Sequence, residues 1–347
     1  MTSRGTDWGL ALVVLALFAT GLLGYFAGSE GRAWVIATHD AVAFGLALLV
    51  VVKLRRVWRR LAELMPLSGL LATALVSLTL LAGWLWATGW SASPGGYSVL
   101  VWHSALGAAL TLAVAVHLAL RAKRPRRRDI ADRRQFLQLA AFGAGAVALW
   151  RVQRPVEALF GLRAAKRRFT GSYERASFAG NAFPATSWVA DSPRELADGY
   201  RLAVTGRVGR PLELTAAELG ASDVVEATID CTGGWYSRQR WRGVALRRLI
   251  DRAGPLAGAS HVRVVSHTGY RWGFTLDEAR DLLLATHVGN EPLAHEHGAP
   301  ARLVVPRARG FQWIKWVTRV ELRDGPDPGA PASTVWSSLT PEGRGGG

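Results

Sequence analysis

Thr228-Ile229-Asp230-Cys231-Thr232-Gly233-Gly234-Trp235 contains the only cysteine of the 347-residue chain. A lone cysteine makes no internal disulfide. Cys231 is therefore either an inert buried side chain or a thiolate used for chemistry or metal binding. Composition alone favours inert burial, but the surroundings favour use. The glycine pair is followed by Trp241-Arg242-Gly243-Val244 and by a basic, helix-like run ending at Leu249-Ile250. Far downstream come Gly298-Ala299-Pro300-Ala301-Arg302-Leu303-Val304-Val305-Pro306, then Gly310-Phe311 and Ile314-Lys315-Trp316-Val317.

The order and separation of these blocks resemble the sulfite oxidase-type molybdopterin oxidoreductases, over roughly Asn181 to Leu322. The resemblance implies an α+β molybdopterin domain in which Cys231 gives a thiolate ligand to molybdenum, a soft ligand for a sulfur-bound metal. It further implies that Arg302 and Lys315 contact the pterin phosphate. A planar guanidinium fork and a lysine point charge both suit phosphate oxygens. Gly180-Asn181-Ala182-Phe183-Pro184 resembles a pterin-touching segment of the methionine sulfoxide reductase-type members, which makes Asn181 a cofactor contact. His297 stands where that branch has asparagine and keeps a hydrogen-bonding group there. His267 falls where another pterin contact is expected. Sulfite oxidases carry an Asn-Arg-Arg-type run just after the cysteine. Here Gly234, Trp235 and Tyr236 occupy those positions, with Arg238, Arg240 and Arg242 farther on, as candidates to reach the pocket. The chain also ends shortly after Leu322, where eukaryotic sulfite oxidases continue into a dimerisation domain. Both departures favour the bacterial reductase-like branch.

Ahead of this domain the solvent requirement changes. Half of the residues are apolar, yet the formal charge is +16. The apolar residues crowd into the first 150 positions. Trp8–Ala27, Trp34–Val52, Leu67–Trp90 and Ser98–Leu120 each approach or exceed the roughly 20 residues that span a bilayer, and none shows a polar stripe. The loop after the second span holds Lys53, Arg55, Arg56, Arg59 and Arg60, and the stretch after the fourth is richer still in arginine. Positive-inside counting places both ends of this four-span unit in the cytoplasm. The basic runs come without a stacking platform or a recognition motif, which argues against nucleic acid as a partner.

Asp132-Arg133-Arg134-Gln135-Phe136-Leu137-Gln138 precedes a short apolar run, Leu139–Trp150, and resembles an internal twin-arginine export signal. A retained anchor is favoured over cleavage at Ala146-Val147-Ala148. Residues 1–121 thus form an all-α membrane four-helix bundle, and 122–170 a basic loop, anchor helix and linker. Residues 171–324 form the α+β molybdopterin domain, and 325–347 a disordered tail rich in Pro, Gly and Ser. Within the domain, strands are expected at 201–204, 261–266 and 301–305. Helices are expected at 215–220, 244–253 and 276–285, the last opening on an N-cap at Thr275.

Histidine inside a lipid-spanning helix is costly and marks a functional site. His39 and His103 each lie five positions past the outer start of their spans, so the two imidazoles sit at one depth and are expected to ligate one haem b. His117 shares the face of His103 about 21 Å deeper. It is a possible ligand of a second haem, although Lys53 stands at the matching position of the second span. Trp84, Trp86, Trp90 and Trp102 cluster at the outer level and read as an interfacial aromatic belt. The placement of the histidines resembles membrane cytochromes b.

Together these features describe a membrane-anchored molybdenum oxidoreductase. It would transfer an oxygen atom to or from a small extracytoplasmic substrate and exchange electrons, through haem b, with the quinone pool. The alternative is a non-catalytic binding or assembly protein on a plain membrane anchor.

Overall fold

The computed structural model describes residues 3–57, 67–90, 92–121, 133–185, 196 and 199–337. It divides into two units, Met1–Tyr173 and Glu174–Gly347.

The first unit is helical. Helices α1 (Ser3–Gly24), α2 (Ala33–Val57), α3 (Leu67–Ala87) and α4 (Val99–Arg121) are all long and apolar enough to cross a membrane. α1 packs on α2 and α4, and α3 packs on α4. Their shared core is small, built on Val14, Leu46, Val76 and Leu110. Leu12, Leu15, Leu71, Leu81 and Leu112 point outward instead. That inversion suits a lipid solvent, in which outward leucines have no water to avoid. Lys53 forms an ion pair with Asp7 of α1, which lets α2 run on past the expected end at Val52.

A fifth helix, α5 (Arg133–Leu159), packs on α2. It is longer than the expected apolar run because Arg151-Val152-Gln153-Arg154 continue it, and Pro155 does not end it. Glu157, buried, accepts a hydrogen bond from Gln153 at 2.6 Å and lies 3.9 Å from Arg167, which is also 4.0 Å from Asp40. Residue 132 and the side chains of residues 133–136 lie outside the described residues; the backbone of Arg133-Arg134 begins α5. The segment after α5, expected to be a plain linker, is pinned instead. Trp86 Nε1 donates to the Gly171 carbonyl at 3.0 Å, and the Tyr173 hydroxyl donates to the Trp86 carbonyl at 2.9 Å. Trp86 and Trp102 both use their indole N–H on a backbone carbonyl, while Trp84 and Trp90 are exposed, as in a belt residue with one wet end.

The second unit is α+β, with two sheets. In one, β5 (Trp235–Ala245) pairs antiparallel with β4 (Asp223–Asp230) and β8 (Leu283–Val288). β8 in turn pairs with β10 (Arg302–Val304) and β9 (Glu291–Pro292). In the other, the order is β3 (Leu212–Leu214), β2 (Leu202–Gly206), β11 (Val317–Arg323), β6 (His261–Ser266), β7 (Arg271–Thr275). The β2–β11 pair is parallel and the rest are antiparallel. β1 (Tyr173–Glu174) stands where the two units adjoin in sequence. Short helices α6 (Ala216–Leu219), α7 (Leu246–Ala253) and α8 (Leu276–Arg280) link the strands. α6 and α8 open on capping boxes at Thr215 and Thr275. The core gathers Trp241, Leu246, Ile250, Leu283, Leu303, Ile314 and Leu322.

Two expectations are corrected here. The helix expected over 276–285 stops at Arg280, and Leu283-Leu284-Ala285 belong to β8. The tail expected to be disordered contains helix α9 (Ala330–Ser337). Ser333 Oγ accepts from Arg271 N at 3.1 Å and donates to Arg271 O at 3.1 Å. Asp327 takes Arg271 Nε at 2.7 Å and Arg263 at 3.5 Å. Two arginines and a buried serine order this segment despite its Pro/Gly content.

Candidate active site

Cys231 follows the last residue of β4, at the head of a tight turn into β5. Its N–H donates to the Trp235 carbonyl at 2.8 Å and its carbonyl accepts from Gly234 N at 3.0 Å. Gly234 has φ +94°, where an L side chain is strained. The turn aims Sγ toward Gly233 N, which donates to it at 3.3 Å. The side chain is nearly buried, and it lines one cleft with Trp235, Tyr270, His297, Arg302, Phe311 and Lys315.

Arg302 reaches this cleft from β10. It is buried, donates to the His297 carbonyl at 2.8 Å, and lies over the rings of Trp241 and Trp313 at 5.7 and 5.9 Å. Its Nε has no hydrogen-bond partner. Burial pushes its pKa down to about 10, with Cys231 acting in the opposite direction. Arg302 therefore remains cationic at neutral pH.

Lys315 sits beside Gly298, the first residue of the Gly-x-Pro-x-Arg block. Gly298 has φ +108°, and a Cβ there would lie 2.9 Å from Lys315 Cβ and 3.0 Å from its Cα. The glycine is what lets the Lys315 backbone approach. Trp316 N then donates to the Gly298 carbonyl at 3.2 Å.

His297 is fully buried and stacks on Phe183, with ring centroids 3.9 Å apart. Its Nε2 donates to the Asn181 carbonyl at 2.9 Å, and its Nδ1 is buried without a partner. Burial holds its pKa below the ordinary histidine value. The bond to Asn181 opposes this, while Arg302 and Lys315 add to it. The ring is thus neutral, and Nδ1 faces its surroundings as an acceptor.

Other expected site residues fall elsewhere. Asn181 does not line the cleft. Its amide donates to Glu291 and to the Pro292 carbonyl, and its oxygen accepts from Ala294 N at 2.9 Å. It ties down the loop leading to His297, and its neighbours Phe183 and Pro184 line the cleft instead. His267 is also absent from the lining. Its N–H pairs with the Trp316 carbonyl at 2.8 Å, and Ser266 and Tyr270 hold that wall. Arg238 and Arg240 alternate with buried Ser237, Gln239 and Trp241 along β5, so they point to the opposite, exposed face. Arg242 shares that register, and none of the three lines the cleft. Period-two alternation decides this outcome once β5 is known to be a strand.

The sequence did not single out Asp230 and Arg309. Both are buried, and Arg309 Nη1 lies 3.1 Å from Asp230 Oδ1. The available signal was a carboxylate at the inner end of a strand, where charge requires a partner.

In the helical unit, the rings of His39 and His103 lie 6.1 Å apart, centroid to centroid, with planes 86° apart. Thr20 Oγ1 is 3.0 Å from His39 Nδ1, and that hydroxyl donates to the Ala16 carbonyl at 2.8 Å. His103 Nδ1 lies 3.0 Å from the Thr79 carbonyl. In both rings Nδ1 is the protonated nitrogen, which leaves Nε2 with its lone pair. His117 Nδ1 is instead 3.2 Å from Ser68 Oγ.

Residues 189–330 match the family model of the oxidoreductase molybdopterin binding domain. This stretch is a molybdopterin-binding oxidoreductase domain. The protein-methionine-sulfoxide reductase catalytic subunit MsrP of Gluconobacter oxydans is 33% identical over 165 residues, covering 41% of this chain and 51% of that protein. Sulfite oxidase of Gallus gallus is 29% identical over 177 residues, covering 41% and 39%. Nitrate reductase [NAD(P)H] of Hordeum vulgare is 30% identical over 157 residues, covering 35% and 18%. The chain spans about half the length, or less, of these curated relatives. The residues of the molybdopterin-binding domain fit such a cofactor in kind. They offer one thiol, one buried guanidinium with an unused Nε, one lysine and one buried imidazole acceptor, all on one cleft.

Proposed function

We propose that the chain is a membrane-anchored molybdenum oxidoreductase that transfers an oxygen atom on a small extracytoplasmic substrate and exchanges electrons with the quinone pool through haem b. The observation that carries this reading is the convergence of Cys231, Arg302, His297 and Lys315 on one cleft. When bound, the molybdenum cofactor would supply two-electron oxygen-atom exchange.

The chain's own residues do the rest. Cys231 offers the thiolate, and the Gly233 N–H donates to it. Arg302 and Lys315 would supply positive charge for a phosphate, and His297 Nδ1 is a buried acceptor that a cofactor N–H could use. Trp235, Tyr270 and Phe311 give the cleft an aromatic wall, while the arginines of β5 point away. A neutral, polarisable substrate suits that wall better than an oxyanion. A sulfoxide, named in the MsrP relative, is the substrate class that follows.

The helical unit holds the electron relay. His39 and His103 lie side by side, ring centroids 6.1 Å apart, and would be the two residues that hold a haem. Both rings carry the Nδ1 hydrogen bond that orients an imidazole ligand. A haem there would relay electrons one at a time. Lys53, held in its ion pair with Asp7, has no lone pair to offer, so the reading stops at one haem.

Molybdenum content of the purified full chain tests the proposal. Wild type should carry close to one molybdenum per chain. Cys231→Ser should keep the fold but lose turnover by a factor of at least about 10², because serine is a harder and far less acidic ligand. Normal turnover in the serine variant would defeat the assignment.

A further inference from the structure

The two loops that meet at Cys231 are joined by a buried ion pair that neither the thiol nor the phosphate-binding groups require. Asp230 is 0% and Arg309 4% exposed. Arg309 Nη1 faces Asp230 Oδ1 at 3.1 Å, and Arg309 Nη2 donates to the Cys231 carbonyl at 3.3 Å. One guanidinium thus holds the Cys231 carbonyl through Nη2 by a hydrogen bond and pairs through Nη1 with the Asp230 carboxylate as an ion pair rather than a hydrogen bond. The next residue leaves no slack. A Cβ on Gly310 would lie 3.2 Å from Cys231 Cα and 3.3 Å from the Asp230 carbonyl oxygen. The same segment leads on to Lys315.

We infer that Arg309, neutralised by Asp230, is a positioning residue that fixes the direction in which the Cys231 sulfur leaves its turn. The inference rests on the reading of Cys231 as a metal ligand. With the Arg309 bond in place, the N–H of Cys231 is held by Trp235, and its carbonyl by both Gly234 and Arg309. The peptide planes on either side of Cα are thereby tied, and the thiol itself accepts from Gly233 N at 3.3 Å. Pairing with Asp230 means that the grip adds no net charge beside the thiolate. The two contacts use separate nitrogens of one planar group. Lysine keeps the charge but would have to make both contacts from a single nitrogen, without the fixed geometry of the guanidinium.

That difference separates positioning from simple charge neutralisation. The test uses the full chain in detergent as wild type, Arg309→Lys, and the double variant Asp230→Asn with Arg309→Gln. The double variant removes both charges, so the comparison survives if a single change leaves a buried charge unpaired and misfolds. Two measurements are made. Because Cys231 is the only cysteine, iodoacetamide labelling followed by mass spectrometry reports this one thiol in metal-free protein. Electron paramagnetic resonance of dithionite-reduced, metal-loaded protein reports the ligand geometry. Both variants should label on the order of tenfold faster than wild type, as expected when a locally tied segment opens more often. Their resonance signals should shift from the wild-type position. Wild-type labelling rates and an unshifted signal in both variants would overturn the inference, even if their melting temperatures fall. Should wild type bind no molybdenum, the functional reading fails, and the labelling rates still decide whether Arg309 ties the turn.

Discussion

Gly298→Ala isolates the reason why the Gly-x-Pro-x-Arg block begins with glycine. Alanine at φ +108° stores backbone strain of about 1–3 kcal/mol. At about 2–4 °C per kcal/mol for a domain of this size, a loss of about 2 kcal/mol lowers the melting temperature by about 4–8 °C. A second effect is local. The new Cβ would stand 2.9 Å from Lys315 Cβ and 3.0 Å from Lys315 Cα. Since backbone cannot swing aside as a side-chain tip can, Lys315 must shift. A charge-assisted hydrogen bond from Lys315 to a phosphate contributes about 1.5–3 kcal/mol. Losing it weakens cofactor retention roughly tenfold to hundredfold. Gly254→Ala is the control. Gly254 caps α7 at φ +65°, with nothing within 4 Å of the position a Cβ would take. It should lose stability of similar order, about 1–3 kcal/mol, without touching the cleft. The assay is molybdenum content per chain after dialysis, beside thermal unfolding of the detergent-solubilised protein. Gly298→Ala should fall well below the control in metal at matched stability. Equal metal content in the two variants would refute the displacement of Lys315.

Two further outcomes are expected. His39→Ala and His103→Ala should each abolish the low-spin haem absorbance while molybdenum stays bound, and His117→Ala should keep it; the reverse pattern moves the haem to the deeper level. Burial alone would raise the Asp327 pKa, but the hydrogen bond and charge of Arg271, with the charge of Arg263, more than offset this and hold it below the usual carboxylate value. Its contribution to stability is therefore present above the unfolded carboxyl value of about 3.9 and is lost as pH falls through the lower folded value. Asp327→Asn should melt lower than wild type at pH 7, and the gap should close in denaturation series carried below pH 4.

The four long apolar helices were legible because an uninterrupted apolar run of that length reads as helix. Their ends were less so. Lys53 extends α2 through a partner in α1, forty-six residues away. The end of α5 depends on residues that read equally well as linker. β8 was hidden for a different reason: Leu282-Leu283-Leu284-Ala285 fits the end of a helix as well as a buried strand, and periodicity cannot separate them. In the site, Cys231, Arg302 and Lys315 came from blocks with a fixed order. Asn181 lies outside the cleft lining while its neighbours Phe183 and Pro184 are in it, because a short motif does not say which of its residues faces the cleft. Arg238, Arg240 and Arg242 were offered to the pocket because their proximity to Cys231 in sequence concealed the alternation that turns them outward.

The balance of charge inside the molybdopterin-binding domain points the same way as its motifs. Two arginines are buried near Cys231, and they are treated differently. Arg309 has a carboxylate, Asp230, at 3.1 Å. Arg302 has a carbonyl, two indole faces and an Nε with no partner, and the charge that favours its cationic form is that of Cys231 as a thiolate. An isolated buried cation costs several kcal/mol, and a pKa near 10 is too high for Arg302 to escape that cost by losing its proton. Nor can it turn out to water, since it is fixed on β10 between Trp241 and Trp313. The remaining way to recover the cost is an anion that arrives in the cleft. In the proposed reading, the phosphate of the cofactor would supply that anion to Arg302 and Lys315. A buried cation held this way, with no carboxylate partner of its own among the described residues, favours an anionic ligand in the cleft.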